Sequence, residues 1–376
     1  MDSYKRRTEK LLSLADIKIN GSRPSDIQVH NPRFYARVLS QGSLGLGESY
    51  MEGWWSAKRL DEFFAKLLGA GLDRKVNTFG MALAAIGATI TNPQRTSKAF
   101  EIGKHHYDIG NDLYSRMLDP TMSYSCGYWK KAKNLEEAQE AKLELICQKL
   151  HLEKGMTLLD IGCGWGGLAK HAAKNYGVKV VGITVSKEQA AYAQHSCKGL
   201  PVDIRLQDYR ALDASELFDR IVSVGMFEHV GVKNYRIYME TVREHLKDDD
   251  GLFLLHTIGG LRSENTTDRW ISKYIFPRSM LPSMAQITHA AEGRFVIEDF
   301  HNFGPDYDKT LMAWNHNFNA HWHEIKDMYT ERFPHFERMW NYYLLSCAGS
   351  FRARKNQLWQ IVLSKNGVPG GYKPVR

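Results

Sequence analysis

From about residue 134 the chain alternates short apolar runs with longer segments that carry an apolar stripe. The runs are Thr157–Ile161, Lys179–Ile183, Val202–Leu206, Arg220–Val224 and Leu252–His256. Near-continuous apolarity over so short a length predicts strands buried on both faces. Leu168–Tyr176, Ser186–Lys198 and Asn234–Leu246 between them have helical spacing. So does Leu135–Leu150 ahead of the first strand, with Leu143, Ile146 and Leu150 on one stripe and Asn134 placed to cap it. This order predicts an α/β fold, a doubly wound, mostly parallel sheet covered on both faces. Such sheets bind ligands beyond the carboxyl ends of their strands.

The first hundred residues follow no such alternation. Leu11, Leu12 and Leu14 open a mixed, mainly helical stretch. Gly42, Gly45 and Gly47 make the segment up to Tyr50 too glycine-rich for a stable helix start, and Trp54-Trp55 follows shortly after. Asn92-Pro93 breaks the chain, so two domains are expected, residues 1–100 and 101–376. The last hundred residues, rich in Trp, Tyr, Phe and His, read as cover and substrate pocket. The run Phe79–Ile90 is far shorter than the ~20 residues that span a bilayer. The N-terminus lacks the apolar core of a secretory signal, so a cytoplasmic protein is expected.

Composition changes this picture little. The 376 residues are 43% hydrophobic and 24% charged, with 50 Lys and Arg against 42 Asp and Glu, a net charge of +8. That balance suits nucleic acid, an anionic membrane face, or solubility alone. The densest basic clusters are only Lys5-Arg6-Arg7 and Arg352–Lys355, which argues against a nucleic-acid binder. Five cysteines without a C-x-x-C pair fit neither a disulfide framework nor a structural zinc site. His321 and His323 alternate on an expected helix and point apart, so no metal site is expected.

The chemistry concentrates after the first strand of the sheet. Gly162-Cys163-Gly164-Trp165-Gly166-Gly167 joins that strand to a helix, where the backbone must turn sharply and admit a ligand. Gly162, Gly164 and Gly167 match the dinucleotide spacing G-x-G-x-x-G. Two details turn the reading away from a dinucleotide. Asp160, two residues earlier, places a carboxylate where pyrophosphate would lie but where an amino-acid ammonium would be welcome. The acid expected about 20 residues on for a nicotinamide ribose is missing, Glu188 being the nearest.

The run Asp160–Gly166 resembles the first motif of class I S-adenosylmethionine methyltransferases. Further motifs narrow the resemblance: Tyr107–Asp112, Met122–Cys126, Gly225–Gly231 and Leu255–Gly259 together resemble the cyclopropane-fatty-acyl-phospholipid synthases, from about residue 11 to Ser364. The resemblance implies a seven-stranded catalytic domain with a smaller, mainly helical N-terminal domain. It implies transfer of the cofactor's methyl group to a cis double bond in a membrane phospholipid. A carbocation then loses a proton and closes to a cyclopropane. The expected cofactors are S-adenosylmethionine and a bicarbonate proton acceptor. Carried over, the bicarbonate residues are Cys126, Glu228, His256, Ile258 and Tyr307. The cofactor residues are Tyr124, Ser125, Asp160, Gly162, Cys163, Gly164, Trp165, Gly166, Thr184, Gln189, Asp208 and Tyr209. A homodimer, docked peripherally on the inner face of the cell membrane through an anionic leaflet, is expected, with Trp54-Trp55 suited to docking.

An alkene has no proton to remove before attack, so the site needs no activated nucleophile. It needs proximity, exclusion of water and a base for the later proton. Plainer readings stand beside these. His256 also reads as a satisfied core histidine, Cys126 as a small buried hydrophobe, Tyr307 as a loop aromatic, and Trp54-Trp55 as packing. Glu228, between Phe227 and Val230, is hard to bury without a partner. Cys347 matches a suspected family nucleophile, but its helical context over Trp340–Arg354 reads as packing. Gly127, where the family usually has alanine, is expected to loosen the loop over the cofactor.

Overall fold

The structure, a computed structural model, describes residues 2–75, 110–331 and 333–376. The run 79–90, the break at 92–93 and the residues 107–109 lie outside the described residues. By internal contacts the chain divides into two compact units, 1–91 with 266–277 and 307–356, and 92–265 with 278–306 and 357–376. The division therefore differs from a single cut at residue 100, because the first unit takes in two pieces from the C-terminal half.

In the first unit, strands β1 (Ile27–Val29) and β2 (Trp55–Ala57) pair antiparallel. Around them pack helices Asp2–Ser13, Arg33–Gln41, Ser43–Met51, Leu60–Gly69 and Phe336–Arg352. Ser43–Met51 is helical despite its glycines, against the expectation from sequence. A Cβ on Gly47 would lie 2.3 Å from the Trp270 ring, and one on Gly45 would lie 2.6 Å from the Arg37 carbonyl oxygen. Each glycine lowers helix propensity by about 1 kcal/mol, yet each admits a neighbour that alanine would exclude. Packing decides the conformation. Trp55 is fully buried, its Nε1 donating to the Leu46 carbonyl at 3.0 Å, with Phe34, Tyr50 and Phe63 around its ring. Trp54 lies under the Arg37 guanidinium. The expected membrane-facing tryptophan pair is thus corrected, since Trp55 belongs to the core.

The second unit is built on a seven-stranded sheet. Its strands are β3 (Thr157–Ile161), β4 (Lys179–Thr184), β5 (Val202–Leu206), β6 (Arg220–Val224), β7 (Leu252–Gly260), β8 (Val296–Asn302) and β9 (Asn356–Ser364), in the order β5-β4-β3-β6-β7-β9-β8. The strands β3 to β7 pair in parallel, and β8 runs antiparallel to β9. Apolar clusters cover both faces, one around Leu159, Ile221 and Phe253, the other around Leu158, Val222 and Leu254. Alternate residues of the same strands feed opposite faces, which is why those strands read as continuous apolar runs. The chain runs outward from β3 through β4 to β5, then returns to β6 on the other side. The order therefore reverses between β3 and β6, where doubly wound sheets open a crevice.

Candidate active site

A cavity opens at that reversal, beyond the carboxyl ends of β3 and β6. Its volume of about 190 Å³ exceeds many times the ~10–15 Å³ one water occupies. Tyr124, Ser125, Asp160, Gly162, Cys163, Gly164, Trp165, Thr184, Gln189, Asp208 and Tyr209 line it. Gly166 does not; it precedes helix Gly167–Tyr176, and a Cβ there would press on Ala193. Gly162, Gly164 and Gly166 all have φ between +56° and +84°. That left-handed backbone favours glycine and lets the loop fold over the strand end. Gly162 and Cys163 both donate their amides to the Ile183 carbonyl, tying the loop to β4.

The walls follow from their neighbours. Trp165 donates from Nε1 to Asn111 Oδ1 at 2.9 Å and packs on Tyr114, which meets Tyr124. Thr184 donates to Gln189 Oε1 at 3.0 Å. The Asp208 carboxylate is held by Arg210 through Nε at 2.8 Å and Nη2 at 2.7 Å. The departure at Gly127 acts opposite to expectation. A Cβ there would come within 2.9 Å of Ala138 Cβ, so glycine draws the 123–127 segment tight against helix Leu135–Lys149 rather than loosening it.

Asp160 is 2% exposed, and its Oδ2 has no hydrogen-bond partner among the described residues. Burial pushes its carboxyl up to about 7, against the opposing charge of Lys142. A dinucleotide pyrophosphate would face this carboxylate directly, whereas a sulfonium or ammonium would relieve it. The cavity therefore suits a cationic ligand.

Glu228, in the turn after β6, and His256, on β7, are each buried. The Ile258 amide at 2.7 Å donates to Glu228 Oε1, while Oε2 has no partner by hydrogen-bond geometry among the described residues. Burial raises the Glu228 carboxyl to about 7, opposed chiefly by the Ile258 amide. Gln360 Nε2 lies 3.2 Å from His256 Nδ1 and donates to it, which leaves the proton of the neutral ring on Nε2. Burial holds His256 well below its ordinary range, and Nε2 has no partner among the described residues. A buried N–H without an acceptor and a carboxyl that keeps its proton near neutrality suit a small oxyanion such as bicarbonate. Cys126 is fully buried. Tyr307 and Cys347 belong to the first unit. There Tyr307 stacks on Phe351 with centroids 4.5 Å apart. Cys347 lies in helix Phe336–Arg352, where burial pushes its thiol up to about 12. His321 and His323 are exposed on helix Pro305–Thr330.

The comparisons with known proteins agree with this geometry. Residues 94–361 match the mycolic acid cyclopropane synthetase family. The chain belongs to that family. It is 57% identical over all 376 residues, and 97% of the relative, to the cyclopropane-fatty-acyl-phospholipid synthase of Escherichia coli strain K12. Among solved structures, the cyclopropane synthase MmaA2 of Mycobacterium tuberculosis is similar at 34% identity and TM-score 0.66, over 71% of this chain and 98% of that one. Mycolic acid cyclopropane synthase CmaA1, in complex with SAH and CTAB, is similar at 34% identity and TM-score 0.65, with the same coverage. As a member of the cyclopropane synthetase family, this chain is an S-adenosylmethionine-dependent enzyme of class I methyltransferase fold.

Two site residues escaped the sequence reading. Lys142, buried in the cavity wall, lies on the stripe Ala138, Lys142, Leu145 and Lys149, all buried. A lysine on an apolar stripe is a signal the periodicity carried. His229, within the motif Gly225–Gly231 that the sequence reading picked out, lines the cavity with burial holding it down at about 4. Gln360, which orients His256, comes from β9, over a hundred residues away in sequence.

Proposed function

We propose that this enzyme converts the cis double bond of unsaturated acyl chains in membrane phospholipids into a cyclopropane ring. The observation that carries this reading is full-length similarity to the E. coli phospholipid synthase. That similarity includes residues 1–93, which precede the family match. Bound S-adenosylmethionine supplies an electrophilic methyl group on a sulfonium centre. The chain's own residues do the rest. Asp160 offers negative charge to the cationic ligand, and the Tyr124, Tyr114 and Trp165 rings wall it off from water. Water must be kept out because it would trap a cationic intermediate as an alcohol.

The proton lost after methyl transfer needs an acceptor. Glu228 and His256 would hold bicarbonate, whose chemistry when bound is to take that proton. His256 donates from Nε2, the Ile258 amide fixes Glu228, and Cys126 belongs to the same proposed set. Cys347 has no step to perform: no covalent intermediate is needed, and a thiol raised to about 12 is not a nucleophile near neutrality.

No helix among the described residues is long and apolar enough to cross a membrane. Docking is therefore proposed to be peripheral, on the cytoplasmic face. Helix Asp2–Ser13 supports this, with Lys5, Arg6, Arg7 and Lys10 exposed beside an exposed Tyr4. Each cation near an anionic surface contributes about 1 kcal/mol. Residues 1–100 would dock and couple the subunits of a homodimer, and 101–376 would carry the chemistry. The test is incubation of purified enzyme with S-adenosylmethionine and vesicles of monounsaturated phospholipid. Each modified chain should gain the mass of one methylene, with an equimolar yield of S-adenosylhomocysteine. Unchanged lipid would remove the substrate assignment and leave the transferase fold.

A further inference from the structure

Residues 119–126 form one wall of the cavity, with Met122, Ser123, Tyr124 and Ser125 on its lining, yet they belong to no helix or strand. Their backbone groups must therefore find partners elsewhere. Helix Leu135–Lys149 supplies some of them. Gln139 and Lys142 stand at i and i+3 on one face of it, and both are buried. Gln139 donates from Nε2 to the Ser125 carbonyl at 2.8 Å and to the Ser123 carbonyl at 3.3 Å. Lys142 donates from Nζ to Ser125 Oγ at 3.1 Å and to Ser123 Oγ at 3.2 Å. Buried Asp119 accepts from the amides of Thr121 at 2.8 Å and Ser123 at 3.1 Å, and from the Thr121 hydroxyl. The segment also rests on the glycine loop: a Cβ on Gly167 would lie 2.4 Å from the Thr121 carbonyl oxygen.

Proton counting gives these bonds a direction. A carboxylate only accepts, so the Thr121 hydroxyl donates to Asp119 and accepts from the Ser123 hydroxyl, 2.8 Å away. Ser123 in turn accepts from Lys142. A buried cation and a buried anion are thus joined through two hydroxyls, from Lys142 through Ser123 and Thr121 to Asp119. Burial pulls Lys142 down to about 8, opposed first by the charge of Asp119. A buried ion pair is weak evidence for stability, and its best-attested use is to hold a register. We propose that Asp119, Thr121, Gln139 and Lys142 are positioning residues that lock segment 119–126 into one conformation before the adenosyl ligand arrives. The inference rests on the S-adenosylmethionine reading of the cavity and goes beyond it, because the lock acts on the wall and not on the ligand. Asp119 and Thr121 stand outside the cavity lining, so their influence on binding must travel through the segment. A wall ordered in advance spares the ligand the entropy of ordering it, and holds Tyr124, Ser125 and Cys126 in one arrangement.

Thr121→Val deletes the bridging hydroxyl at nearly constant volume, and Thr121→Ser keeps it. Two measurements compare both variants with the wild type: hydrogen exchange by mass spectrometry on the unliganded proteins, and calorimetric titration with S-adenosylhomocysteine. In Thr121→Val the peptide covering 119–126 should exchange about tenfold faster, with the peptides of β3 to β7 unchanged. Its affinity for S-adenosylhomocysteine should fall about tenfold, the size expected for one lost hydrogen bond, and saturating ligand should restore protection. Thr121→Ser should match the wild type in both measurements. Should Thr121→Val fail to fold, Asp119→Asn takes its place, since asparagine presents a donor where one carboxylate oxygen accepts. Unchanged exchange of 119–126, or unchanged affinity, in the folded variant overturns the proposal. So does faster exchange throughout the sheet, which marks a general loss of stability. A wild-type enzyme that does not bind S-adenosylhomocysteine overturns the cofactor reading instead, and the exchange comparison still decides the lock.

Discussion

Replacing Glu228 by glutamine removes a proton-binding group while keeping an oxygen for the Ile258 amide, which lies 2.7 Å from Oε1. The buried carboxyl titrates at about 7 instead of its ordinary 4.5. Between those values the folded enzyme retains a proton that the unfolded chain has released, so rising pH erodes stability. At about 1.4 kcal/mol for each pH unit, the ionised side chain costs about 3 kcal/mol once the pH passes 7. Glutamine carries no such cost. Asp160 behaves in the same sense, whereas the buried histidines, His229 at about 4 among them, act oppositely over an overlapping range. The informative quantity is therefore the stability of the variant minus that of the wild type at each pH. Denaturant unfolding between about pH 5 and pH 8 should show this difference rising by about 2–3 kcal/mol in favour of Glu228→Gln. The variant should keep S-adenosylhomocysteine affinity and lose most turnover. A difference that stays flat with pH would refute the buried, proton-holding carboxyl. Undiminished turnover would refute its part in the chemistry.

Further outcomes follow from other contacts. Gln360→Leu removes the donor that fixes the His256 tautomer, and kcat should fall about tenfold with S-adenosylhomocysteine affinity unchanged; unaltered kcat would show that His256 needs no such orientation. Cys347→Ser should keep kcat near that of the wild type, and a drop of about a hundredfold or more would restore the cysteine to the chemistry. Gly47→Ala should lose about 1–3 kcal/mol in chemical denaturation, because its new methyl meets the Trp270 ring; an unchanged midpoint would mean that the indole moves aside freely.

The sheet was legible because burial on both faces writes itself as apolar runs. All five runs became parallel strands with boundaries within a residue, except that β7 continues to Gly260. Strands β8 and β9 were not separated from the aromatic-rich tail. In β8, exposed Val296, Ile297 and Phe300 sit on an edge strand and give no clean alternation. Helix Ser43–Met51 was misread because its glycines serve neighbours that only the tertiary structure supplies. Asp160 and the loop after it were readable from local chemistry alone. Glu228 and His256 needed the resemblance, since a buried acid and a strand-end histidine acquire meaning only through Ile258 and Gln360. Lys142 was overlooked because a lysine in an amphipathic helix is ordinarily solvated, although its stripe position argued otherwise.

A methylene, and not an intact methyl, should end in the lipid. S-adenosylmethionine carrying a trideuterated methyl group, given to the enzyme with monounsaturated phospholipid vesicles, tests it directly. Mass spectrometry should find two deuterons retained for each modified chain, the third having passed to solvent. Retention of all three, as in a methyl branch, would contradict both the cyclopropane product and a proton acceptor at Glu228 and His256.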